Sequence, residues 1–262
     1  MSNALFGISI AIYSVALAVY LAFVFKRRES LRHAARLALG TAVVAHLASI
    51  GSLCIVGYHP LRDSGGVLNL SGLVLSVAYV VGSFRWRLGV LGAVVSLSAA
   101  AFVVASWLWR AEIPLTGESS LLRELHLSLV AVGTGIFALA TAVSLLYLRR
   151  ESALKSGRIP GPGRRGPAIT TLDRLNHWMV LCGFPIYTLV VVTGVAWASR
   201  ETGLEFRLEY IIAGLIWLTF AFSIGARLTV GLRGRKAALV TIAGFLATTL
   251  VLAIYVIRRI LA

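Results

Sequence analysis

LHLSLVAVGTGIFALATAVSLLYL (Leu125–Leu148) runs for 24 residues without an Asp, Glu, Lys or Arg, and its one histidine is His126, second in the run. A bilayer core of about 30 Å takes roughly 20 apolar residues in a helix, and lipid offers no partner to an unpaired backbone group, so this run predicts a membrane-spanning helix. Seven further stretches read the same way: about Ala4–Phe25, Leu37–Gly57, Val67–Phe84, Leu88–Trp109, Leu175–Ala198, Tyr210–Ala226 and Ala237–Ile257, with the span proper of the quoted run at His126–Leu148. None of the eight contains Asp, Glu, Lys or Arg. The fold class expected is therefore all-α, a polytopic membrane protein with eight transmembrane helices. Composition agrees: 58% of the 262 residues are hydrophobic and 13% charged, against about 25% charged in an ordinary soluble domain. A soluble enzyme, a disordered tail and a disulfide-built secreted domain are excluded. The first span is too long for a signal-peptide core and has no basic lead-in, so it reads as a retained helix.

The net charge of +15 is a matter of topology before it is one of partners. Of the 25 Lys and Arg, 18 lie in the connections after the first, third, fifth and seventh spans, and 7 in the remaining connections and termini. By the positive-inside rule this places the odd connections in the cytoplasm and both termini outside (N-out/C-out), with some attraction to anionic lipid and no role in nucleic-acid binding. The longest connection, about 149–172, holds IPGPGRRGP (Ile159–Pro167) and three of the six prolines. It reads as a basic cytoplasmic linker between a five-helix region (1–148) and a three-helix region (173–262). Two other connections, Arg110–Leu125 and Ser199–Glu209, mix charges with leucines and read as interfacial.

Chemistry in such a chain is sought first among ionisable groups within the spans. His46 lies near the middle of the second span and could be an axial ligand to heme or another metal, or a hydrogen-bonding partner of a neighbouring helix. His126 stands at the outer edge of the fifth span, where it could hold a heme iron reached from outside or simply be wetted at the interface. Helix rise puts the two about 15 Å apart in depth, so they are not expected to share one iron. His177 beside Trp178 reads as an interface anchor, His59 as a loop residue and His33 as solvated. Cys54 and Cys182 are read as buried thiols. Trp86, Trp107, Trp109, Trp178 and Trp197 sit at span ends as an aromatic belt, and Trp217, in mid-span, fills helix–helix space. The interior carries no carboxylate, which argues against a proton-coupled pump.

LDRLNHWMVLCGFPIYTLVVVTGVAWA (Leu172–Ala198), then ARLTVGLRGRKAALVTIAGF (Ala226–Phe245), together with the run quoted at the outset, resembles the membrane cytochrome c assembly proteins of the CcsA type, most closely their HemX-like branch. The likeness covers about Leu122–Val251 and implies a fold that holds heme at the outer face for attachment to apocytochrome c. It also implies that His126 matches the family's histidine at the start of this core. The segment after Trp197 has no tryptophan before Trp217, and Gly225 replaces a family histidine two residues before Arg227. The expectation is thus a non-catalytic heme-handling or accessory protein of cytochrome c assembly or heme biosynthesis in the bacterial inner membrane. Its partners would be lipid, heme, apocytochrome c or other assembly proteins, with a cytoplasmic protein on the 149–172 connection. The alternatives are a heme-free structural or regulatory subunit of a membrane complex, or a transporter of an apolar solute.

Overall fold

The computed structural model describes residues 2–26, 28–55, 57, 60–61, 64–86, 88–108, 121–157, 167–201 and 208–261. Among them the secondary structure is wholly helical, in eight helices: α1 (Ser2–Lys26), α2 (Glu29–Ile55), α3 (Ser64–Arg85), α4 (Gly89–Leu108), α5 (Leu121–Lys155), α6 (Ile169–Glu201), α7 (Leu208–Thr229) and α8 (Arg235–Leu261). Each contains a window long and apolar enough to cross a membrane. Several helices outrun the apolar stretch that signals them. The 35 residues of α5 would extend about 52 Å at 1.5 Å per residue, well beyond the hydrocarbon. Its last turns, Arg149–Lys155, stay helical on good helix formers and on the Glu151–Lys155 pair at 2.8 Å, spaced i,i+4. In the same way α2 begins at Glu29, whose carboxylate pairs with Arg32 at 2.6 Å.

The chain divides into two compact units, one built on α1–α4 and the other on α5–α8. In each, successive helices are neighbours and the last packs back on the first, α4 on α1 and α8 on α5. The sequence division put the boundary after Leu148 and so grouped the fifth helix with the first four. By packing it belongs with α6–α8, because a Pro/Gly-rich connection marks a long loop and not a change of packing partner. The connection is also shorter than read, since residues 149–155 and 169–172 are helical.

In the first unit the core is unusually polar for a membrane bundle. Tyr13, Tyr20 and Tyr79 are fully buried alongside Leu39, Leu75 and Leu91, and so are His46, Asn69, Ser71, Ser76 and Ser96. Close approach is permitted by Gly92, where a Cβ would overlap the Tyr20 ring. The second unit has an aromatic core, with Phe137 stacked on Phe220 at 4.6 Å and Tyr187 edge-on to both. Trp217 packs on Phe184 at 5.4 Å and donates its indole N–H to Thr188 Oγ1 at 2.9 Å, filling helix–helix space as expected.

Cys54 and Cys182 are exposed on their helices, not buried. The leucines expected to lie along the surface before the fifth span belong to α5 itself, with Leu121 and Leu125 exposed on its first two turns. The rest of that connection (110–120), most of the one after Trp197 (202–207), Trp109 and His59 lie outside the described residues.

Candidate functional site

Helices α5 and α6 run antiparallel in a register set by small residues. His126 lies against Gly194 and Phe137 against Gly183, steps of 11 residues on each helix, and 7 residues further on Ser144 Oγ meets Asn176 Oδ1 at 3.1 Å. Eleven residues is close to three helical turns, so the contacts stay on one face of each helix. A Cβ at Gly194 would stand 2.9 Å from His126 Cε1. Only the missing side chain lets the imidazole lie on the backbone of α6.

Three α6 groups surround that half-buried ring. His126 Nδ1 is 3.1 Å from Thr193 Oγ1. The threonine has a single hydroxyl proton, and it is directed at the Leu189 carbonyl 2.6 Å away, with the Val190 carbonyl at 3.3 Å. Thr193 is thus placed to accept from Nδ1–H, and in that neutral tautomer the lone pair is on Nε2. Trp197 lies with its ring centroid 5.8 Å from that of His126 at 42°. Its Nε1 is buried and has no hydrogen-bond partner among the described residues. A buried indole N–H is ordinarily paired, so this one is a donor awaiting an acceptor. Trp197 is thus more than a member of an interfacial belt. At the same end of the unit Arg123, one turn before His126, and Glu209, at the start of α7, are 6% and 9% exposed. Buried charges of this kind were not legible in loops that read as interfacial.

His46 has a different setting. It is fully buried, with Nε2 2.6 Å from Asn69 Oδ1 and Nδ1 3.1 Å from the Tyr13 hydroxyl. Tyr13 also reaches Ser76 Oγ at 3.0 Å, so four side chains of α1, α2 and α3 form one chain of hydrogen bonds. Both imidazole nitrogens are engaged by protein, and in this arrangement neither is open to a metal. The helix–helix alternative weighed for His46 describes its surroundings, with Tyr13 and Asn69 as the unforeseen partners. His177 packs by Trp178 at 6.3 Å, and His33 is exposed beside Arg36.

At the opposite end of the second unit Asp173 ties three segments together. It accepts from Arg227 at 2.7 and 3.3 Å and from the Gly234 N–H at 2.9 Å. Gly234 has φ +70, and a Cβ there would meet the Tyr147 hydroxyl at 2.8 Å, so only glycine suits this turn. The forked pair fixes the start of α6 to the end of α7 and to the α7–α8 turn.

Fold and site together define a polytopic helical membrane protein with a histidine–tryptophan site at one end of a four-helix unit. The chain belongs to the cytochrome c assembly protein family, whose model matches residues 2–261. It is similar to the cytochrome c biogenesis protein CcsA of Chlamydomonas reinhardtii, 27% identical over 124 residues, 47% of this chain and 34% of that one. Similar proteins of the same name occur in Thermosynechococcus vestitus, 34% identical over 77 residues (29% and 24%), and Nostoc punctiforme, 30% over 107 residues (40% and 30%). The matched segments thus span about a quarter to a third of the length of these curated relatives. No solved structure matches the chain.

Proposed function

We propose that this chain is a membrane heme-handling protein of cytochrome c assembly that binds heme without catalysing its attachment, and that Nε2 of His126 is the iron ligand. One observation carries the assignment: Thr193 is placed to accept the Nδ1 proton and so leave the lone pair on Nε2, as when a ligating histidine donates its other ring N–H to a neighbouring oxygen. The residues present fit the group in one further respect. The unpaired Trp197 Nε1–H offers a donor to a carboxylate such as a propionate. Bound heme would supply an electrophilic iron and a reactive porphyrin edge, while this chain's residues would orient and retain it.

The HemX-like branch, the N-out/C-out orientation and residence in a bacterial inner membrane complete the reading. They are supported by the sequence likeness and by the loop charges, and would put His126 where apocytochrome c arrives. The test is a hemin titration of detergent-purified protein followed by its Soret band. The wild type and His177→Ala should develop the band, and His126→Ala should lose it. A band lost only in His46→Ala would overturn the assignment, and a wild type that stays colourless would favour the heme-free regulatory subunit.

A further inference from the structure

At the end of the first unit where α1 and α3 finish and α2 and α4 begin, all four helices contribute to a small recess. Tyr20 enters from α1, Arg32 and Arg36 from α2, Tyr79 and Ser83 from α3, and Gly89 from the start of α4. Its volume is about 10 Å³, room for one water-sized oxygen. Two of the hydroxyl protons are already used, Tyr79 donating to the Leu88 carbonyl at 3.2 Å and Ser83 to the Val80 carbonyl at 2.7 Å. The donors left to greet a ligand are chiefly the guanidinium groups.

Those groups are held in place yet not neutralised. Arg32 pairs through Nε with Glu29, but its side chain is 24% exposed and that of Glu29 is 67% exposed, so water screens the carboxylate more than it screens the guanidinium. Arg36 lies over the Phe84 ring at 4.7 Å and, among the described residues, reaches the imidazole of His33 at 3.3 Å. The other charges on the described residues at this end, Lys26, Arg28 and Arg85, are all basic. Gly89 keeps the recess shaped, since a Cβ there would press on the Phe23 ring at 2.7 Å and on Arg32 Cδ at 3.3 Å. Beside the recess Phe25, Leu37 and Phe84 turn broad apolar surface outward.

We propose that this recess binds the phosphate of a membrane lipid, one phosphate oxygen entering it, the two arginines holding the others and the acyl chains lying along Phe25, Leu37 and Phe84. Paired arginines suit a phosphate's several oxygens, the recess lies at helix ends where lipid phosphates are found, and the apolar flank favours a lipid over free phosphate. The full chain, purified in dodecyl maltoside, is titrated with dioctanoyl phosphatidic acid, with dioctanoylglycerol and with inorganic phosphate. The thermal midpoint and lipid retained in native mass spectrometry are the readouts. Phosphatidic acid should raise the midpoint and leave one bound lipid, and the other two probes should do neither. The Arg32→Gln/Arg36→Gln double variant should need about tenfold more phosphatidic acid, whereas Arg233→Gln/Arg235→Gln in the second unit should match the wild type. If the glutamine variant does not fold, Arg32→Lys/Arg36→Lys decides, since it keeps the charge and loses the fork: weaker binding supports the site, and unchanged binding refutes it. An equal response to dioctanoylglycerol or to inorganic phosphate, or an undiminished response in the glutamine variant, overturns the proposal.

Discussion

His126 and Thr193 lie 67 positions apart in the chain and meet at 3.1 Å. Thr193→Val keeps the shape and removes the acceptor, so His126 should lose its preference for the Nδ1–H form, and Thr193→Ser should restore it. Nitrogen-15 spectra of histidine-labelled protein read the tautomer directly, without heme. A wild-type spectrum with the proton on Nε2 would contradict the geometry. His46 makes the converse case. Interhelical hydrogen bonds in membranes average only ~0.6 kcal/mol, but His46→Ala strands the Asn69 carbonyl while Tyr13 keeps Ser76, and a buried unsatisfied group costs about 1–3 kcal/mol. The variant should melt at lower temperature than the wild type and take up heme normally; a wild-type melting temperature would show the network to be slack. Both histidines were visible as lone ionisable groups in apolar runs. Their partners were not, because Thr193, Gly194, Asn69 and Tyr13 have nothing in their local sequence to distinguish them from residues that merely pack.

Helices were the most legible features, since lipid leaves an apolar run of some 20 residues no other structure. Their ends were less so: Arg149–Lys155 and Glu29–Arg36 continue as helix on charged residues that a hydropathy reading assigns to loops. Register is carried by glycines, and not every glycine matters. At Gly92 a Cβ would overlap the Tyr20 ring, whereas at Gly40 nothing lies within 4 Å. Gly92→Ala should therefore destabilise by about 1–3 kcal/mol, with partial recovery on adding Tyr20→Leu. Gly40→Ala should be neutral or mildly stabilising through helix propensity. Thermal unfolding in detergent checks both, and equal effects at the two positions would contradict the packing described for α1 and α4.

At the scale of the whole molecule, two four-helix units stand where a loop-based division drew five helices and three. A proline-rich connection reports chain length between spans, while membership of a unit is decided by side chains such as Phe137, Gly183 and Asn176 that sequence alone cannot pair. Loop charge carries orientation. In a Cys54→Ser/Cys182→Ser background, Leu121→Cys should react with a membrane-impermeant maleimide from outside intact cells and His33→Cys only after lysis; the reverse order would invert the topology. In the function proposed, Nε2 of His126 holds the iron of a heme. His126→Gly removes the ligand and leaves space for a free imidazole, so it is the most direct test. The variant should show no Soret band with hemin alone and regain one on adding imidazole. A band that persists in His126→Gly without imidazole would contradict the assignment.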